Sequence, residues 1–142
     1  MIIRADFTAG GLSCKLPCVY ILTIRDTNKS YYYIGRTGTS NNTGMSSPYK
    51  RLAKHLAKHG NTQSCIWNAD LPKSFLDAAV ISFVALTFDE KDEAASAEDW
   101  LRWRFAGKNS LNKEMPEKEE PSVPAELRAK LTSLTESANS AM

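Results

Sequence analysis

Two runs of β-branched and aromatic residues, CVYILTIR at 18–25 and SYYYIGR at 30–36, stand only four residues apart. The link between them, Asp26-Thr27-Asn28-Lys29, is a polar cluster of hairpin-turn type. Two adjacent strands joined so briefly are expected to pair antiparallel. If those four residues are the whole loop, Arg25 faces Ser30, Leu22 faces Tyr33 and Tyr20 faces Gly35. Side chains alternate across a sheet with a period of two, so Tyr20 and Tyr33 then share one face, offset diagonally, and Gly35 leaves space beside Tyr20. A five-residue loop would send the two tyrosines to opposite faces, and the sequence leaves both registers open.

The rest of the chain alternates loops, helices and one more strand. TGTSNNTGMSS at 37–47 has no apolar period and reads as a loop. Ser47-Pro48 offers an N-cap followed by proline at the first helical position. The helix that follows is expected to run to about His59, with Gly60 as its stop. Tyr49, Leu52, Ala53, Leu56 and Ala57 form its apolar stripe. Residues 61–76 are mixed, with Trp67 and Pro72 as packing anchors, and DAAVISFVALTF at 77–88 reads as a third strand. Asp89 is expected to cap a second helix reaching about Ala106, with Glu90, Asp92 and Glu93 in the first turn, where the helix dipole favours acids. Its stripe is Ala94, Ala97, Leu101 and Phe105, and Gly107 lies past its end. The Glu- and Pro-rich stretch 114–124 reads as a linker. A further helix over 125–137, carrying Leu127, Leu131 and Leu134, either docks on the domain or serves an oligomer contact. The expected class is α/β (α+β): a small three-stranded, mainly antiparallel sheet flanked by helices, with an extra C-terminal helix. Residues 1–113 would be the domain, 114–124 the linker and 125–142 the C-terminal helix and tail.

Composition narrows the function classes. No stretch approaches the roughly 18–20 apolar residues that span a bilayer, and the first residues do not form a secretory signal, so no membrane association and a cytoplasmic setting are expected. Cys14, Cys18 and Cys65 are odd in number and contain no C-x-x-C pair, which argues against a disulfide framework and a zinc site. Neither a phosphate-binding glycine loop nor a G-x-S-x-G turn occurs. The net charge of +2 is unevenly spread: residues 1–60 carry nine Lys or Arg against two acids, giving +7, and the remainder nine against fourteen, giving −5. A basic half is the footprint of a phosphate-backbone partner.

Several side chains have the chemistry for such a partner, each with a plainer alternative. Arg51 and His55 are spaced i, i+4 and lie on one helix face. Arginine presents a planar fork suited to phosphate oxygens, and histidine can share a proton. The same residues, beside Lys50, Lys54 and Lys58, would also make an ordinary solvated basic face. His59 could pair with His55 on a metal, but nothing nearby completes that set. Glu98, at the edge of the second helix's stripe, can hold a hard cation such as magnesium, or be one more helical acid. Tyr20 and Tyr33, taken alone, read first as packing residues of the sheet.

Taken in order, these residues resemble the GIY-YIG endonuclease family. Cys18-Val19-Tyr20 stands where the first triplet stands, and Tyr33-Ile34-Gly35 is the second triplet itself. Lys50-Arg51-Leu52-Ala53-Lys54-His55 looks like the family's helix bearing an arginine and a histidine four residues on. Glu98 matches the single metal-binding glutamate, and Leu111-Asn112 resembles the closing asparagine, with Asn109 three residues away. The resemblance covers roughly residues 17–113. The first triplet departs from it by losing its glycine, and the loop from Arg36 to Pro48 is longer than in many members.

The resemblance implies a DNA endonuclease dependent on Mg2+ (or Mn2+), with Glu98 anchoring the ion. Tyr20 would take a proton from the attacking water and Tyr33 would help position it. A free phenol has a pKa near 10, so that role needs nearby positive charge. Arg51 would supply it and stabilise the transition state, and His55 would hold or relay a proton. Gly35, Arg36, Lys54 and Asn112 would contact substrate or order the site. One site cuts one strand at a time, so a double-strand cutter would need a homo-oligomer, a larger complex or two binding events. The alternatives are a non-cleaving nucleic-acid-binding module of the same fold and a protein-interaction domain using the C-terminal helix.

Overall fold

In the computed structural model, which describes residues 1–5, 16–37, 48–57, 64–113 and 118–140, the hairpin closes in the four-residue register. Strands β2 (Cys18–Arg25) and β3 (Ser30–Thr37) pair antiparallel with Arg25 opposite Ser30, Leu22 opposite Tyr33 and Tyr20 opposite Gly35. Asp26 fixes this register. Its Oδ1 accepts from the backbone N–H groups of Asn28 and Lys29, both at 2.7 Å, an Asx turn that substitutes a side chain for the missing ladder partners. Those two hydrogen bonds hold the Asp26 carboxyl below its usual range.

The sheet is wider than the sequence suggests. Strand β4 (Val80–Thr87) pairs antiparallel with the other side of β2, and β1 (Ile2–Ala5) runs parallel along the outer edge of β4, giving the order β1-β4-β2-β3. The expected three-stranded, mainly antiparallel sheet is therefore corrected to a four-stranded mixed one. A run as short as IIRA shows no periodicity of its own; it becomes a strand because β4 offers it a row of backbone partners.

Helices cover both faces. Helix α1 (Pro48–Leu56), the segment 64–72 and α2 (Lys73–Ala78) lie over Cys18, Tyr20, Leu22, Ile24, Ile81 and Phe83. Helices α3 (Lys91–Arg104) and α4 (Ala125–Ser140) lie over Val19, Ile21 and Ile34. The central strand β2 is thus buried from Cys18 through Ile24, which is why it reads as an almost unbroken apolar run.

Several element boundaries move. Residues 73–78, partly assigned to the third strand, form α2 instead, and Phe75 and Leu76 bury its one apolar side. The described part of α1 ends at Leu56, with the Ala57 N–H still bonded to the Ala53 carbonyl; His59 and Gly60 lie outside the described residues. Its buried stripe is Pro48, Leu52 and His55, while Tyr49, Ala53 and Ala57 face outward. The N-cap of α3 is Glu90, not Asp89, without a side-chain cap bond, and Gly107 turns the chain beyond its end at φ 75°.

Helix α4 docks on the sheet. Leu127, Leu131, Leu134 and Ala138 enter the same core as α3. Arg25, at the end of β2, donates through Nη2 to the Ala138 carbonyl at 2.6 Å and through Nη1 to the Asn139 carbonyl at 3.0 Å. A guanidinium on the last carbonyls of a helix satisfies orphan acceptors and meets the negative end of its dipole. The stretch before α4 is tethered as well: Glu120 accepts from Trp100 Nε1 at 3.1 Å and pairs with Arg128 at 3.0 Å. Among the described residues no helix is long and apolar enough to cross a membrane.

Candidate functional site

The site grows from the Tyr20–Gly35 pair across the hairpin. A Cβ placed on Gly35 would lie 2.9 Å from Tyr20 Cε1 and closer still to Cζ and Oη. Glycine is required there because the Tyr20 ring lies over its backbone. The ring is also stacked on Phe83, with centroids 5.0 Å apart, and stands 6.2 Å from Tyr33 on the same face.

His55 takes up the phenol. Its Nε2 is 2.9 Å from Tyr20 Oη, and its Nδ1 accepts from the Cys65 backbone N–H at 3.1 Å. A neutral imidazole has one acceptor and one donor nitrogen. The Cys65 bond assigns Nδ1 as acceptor, so Nε2 carries the hydrogen and donates to Tyr20. The hydroxyl proton of Tyr20 is left to point elsewhere. The end of α1 is pinned by the same neighbourhood: Ser64 Oγ donates to the His55 carbonyl and Trp67 Nε1 to the Leu56 carbonyl, two acceptors the helix cannot satisfy internally. This explains the shift in the stripe of α1. With both ring nitrogens partnered, histidine can occupy a core position.

That burial has a consequence for stability. Desolvation first, and the Arg51 charge second, lower the His55 pKa from 6.5 to about 4. The unfolded chain therefore binds a proton that the folded one refuses between those values. The contribution of His55 is fully present above pH 6.5 and is lost as the pH falls toward 4, amounting to on the order of 3 kcal/mol. Urea unfolding of wild type between pH 7 and pH 4 should show this loss, and His55→Gln should flatten it; equal slopes for the two proteins would contradict the buried neutral imidazole.

A cavity of about 320 Å³ opens where these groups meet the edge of β3. Tyr20, Tyr33, Arg51, His55 and Asn112 line it together with Arg102, Lys113, Ser64 and Cys65. Among the described residues its charged lining is cationic: Arg51 from α1, Arg102 from α3, and Lys113 beyond α3. Arg51 Nε is buried and without a hydrogen-bond partner among the described residues. Buried donors are nearly always matched, so this atom is able to take an acceptor from outside the described residues. The Cys65 thiol is pushed up to about 12 by burial and is no nucleophile near neutrality.

Both phenols are held protonated. Burial is the largest cause of the raised Tyr20 pKa, the neighbouring Tyr33 adds to it, and Arg51 opposes it. The lowering expected from Arg51 is thus present but outweighed. Tyr33 is raised by burial first; the charge of Glu98 also raises it, while Arg102 and Arg51 lower it.

Glu98 stands just outside the cavity. It is buried on α3, with Oε1 3.2 Å from Arg36 Nε and Oε2 3.5 Å from Arg102 Nη2. Arg102 is the link between this carboxylate and the cavity. Arg36 lies on β3 with its side chain on Glu98, Gly35 lies beneath Tyr20, and Lys54 is not among the cavity's lining residues. Asn112 has a backbone-like role: its Oδ1 accepts from the Ile34 N–H at 2.9 Å and its Nδ2 donates to the Ile34 carbonyl at 2.7 Å. With Tyr32 bonded to Asn109 and Leu111, residues 109–112 cover the outer edge of β3, and Asn109 makes the turn at φ 56°.

Among the described residues no three His, Cys, Asp or Glu gather as a metal cage. Magnesium keeps several waters and can be held by one carboxylate plus substrate phosphates. Both Glu98 oxygens are engaged by arginines, so an ion there would have to displace a guanidinium contact. The sequence reading missed Arg102, Lys113 and the Ser64-Cys65 pair. The i, i+4 spacing of Glu98 and Arg102 was the available sign for the first; the others come into place through tertiary structure alone. No model of a known family matches the chain, and neither the curated proteins nor the solved structures compared with it give a match.

Proposed function

We propose that the chain is a metal-dependent endonuclease of the GIY-YIG kind that hydrolyses phosphodiester bonds in DNA. The observation that carries this reading is the hydrogen-bonded pair of Tyr20 and His55 beside the unpartnered Arg51 Nε in a cationic cavity. Arg51 binds the scissile phosphate and stabilises the negative charge that grows on it. His55 fixes the direction of the Tyr20 hydroxyl by donating to it, and the hydroxyl orders the attacking water. Tyr33 forms the neighbouring wall. Attack by the water oxygen on phosphorus breaks the bond to the 3′ oxygen; the water's proton passes to Tyr20 Oη, which has first released its own proton to solvent, and the departing 3′ oxygen takes up a proton from solvent. The His55 donor and the Arg51 charge both favour the phenolate against its burial. Glu98 would hold magnesium, which when bound supplies Lewis-acid stabilisation and further positive charge.

Conversion of supercoiled plasmid to nicked circles tests this. Wild type with magnesium is expected to nick, EDTA to stop it, and Glu98→Ala to slow it by about a thousandfold. Equal nicking by Glu98→Ala would remove the metal assignment, and no nicking by wild type would remove the nuclease. The second reading, a phosphate-binding module that does not cut, is favoured by the engagement of both Glu98 oxygens with arginines. It predicts salt-sensitive DNA binding with no cleavage. Cutting both strands would take a homo-oligomer, a larger complex or two binding events, since one cavity serves one strand.

A further inference from the structure

Arg102 and Lys113 are not used by the chemistry proposed above, yet both line its cavity. They reach it from a different side than Arg51. Helix α1, which bears Arg51, packs on the Tyr20 face of the sheet, whereas α3, which bears Arg102, packs on the Ile34 face. The cavity lies at the edge strand β3, where side chains from both faces meet around Tyr33 and Asn112. Lys113 directly follows Asn112, whose side-chain amide is locked to the Ile34 backbone by two hydrogen bonds. Its backbone is thereby anchored beside the cavity. Arg102 is aimed by Glu98 from one helical turn earlier, through the 3.5 Å contact of Nη2 with Oε2.

We propose that Arg102 and Lys113 form a second phosphate subsite, which binds a phosphate of the substrate strand next to the one held by Arg51. This rests on the reading of the cavity as a phosphodiester site. Two cationic positions around one edge strand would clamp a strand across the cavity and set its direction.

The test is anisotropy of a fluorescein-labelled DNA duplex titrated with the full chain in EDTA, so that cleavage plays no part, at several salt concentrations. Arg102→Ala and Lys113→Ala are each expected to weaken binding about tenfold and to reduce the salt slope by about 1, as loss of one phosphate contact requires. Arg102→Lys keeps the charge next to Glu98 and should bind with an intermediate affinity at the wild-type slope. It also guards against misfolding of the alanine variant, with circular dichroism as the check. Wild-type affinity and slope in both Arg102→Ala and Lys113→Ala, with binding still weakened by Arg51→Ala, would overturn the subsite while leaving the nuclease reading intact. Failure of wild type to bind the duplex at all would overturn both.

Discussion

Gly35→Ala is expected to destabilise the protein by about 3 kcal/mol and to lower its melting temperature by roughly 10 °C. The sign is what makes the result informative. Glycine inside a strand ordinarily weakens it, so alanine there should help by a few tenths to about 1 kcal/mol. Here the new Cβ would meet the Tyr20 ring inside normal contact distance at three atoms. The ring cannot step aside, because it is stacked on Phe83 and its hydroxyl is held by His55. The strand cannot step aside either, since β3 is tied to β2 on one edge and to residues 109–112 on the other. Calorimetry on a double-mutant cycle with Tyr20→Ala checks the cause: without the ring, Gly35→Ala should lose its penalty. A penalty unchanged by Tyr20→Ala would place the strain elsewhere.

The hairpin was legible because its evidence is local. A polar four-residue link offers the register that places Tyr20, Tyr33 and Gly35 on one face, and the Asp26 turn decides it over the five-residue alternative. Helices α3 and α4 were legible from their apolar stripes, although the cap of α3 is Glu90 rather than Asp89, and Arg51 and His55 were legible from their spacing. What the sequence did not reveal depends on partners distant along the chain. The four residues of β1 become a strand only because β4 is beside them. His55 reads as a surface group until Cys65, ten residues on, supplies a donor for its second nitrogen. Of α2, only Asp77 and Ala78 were read into the third strand, and the short helix that buries Phe75 and Leu76 fell in a stretch read as mixed. Glu98 was recognised as a candidate ligand, but its two arginine partners depend on how α3 crosses the edge of β3. Asn112 was singled out for a site role, and its side chain extends the β3 ladder.

The central claim is that the Tyr20 hydroxyl, directed by His55 and overlooked by Arg51, takes part in breaking a phosphodiester bond. Tyr20→Phe removes that oxygen and keeps the ring that packs on Phe83 and Tyr33. The His55 Nε2–H then lacks its acceptor, a loss of about 1–3 kcal/mol that the fold should withstand. The decisive measurement is single-turnover cleavage of labelled duplex DNA in magnesium by wild type and Tyr20→Phe, each shown to be folded and to bind the duplex in EDTA. The account predicts cleavage slower by about a hundredfold or more, as for other positioned proton-transfer groups, with affinity held within about twofold. Cleavage by Tyr20→Phe at the wild-type rate would contradict it.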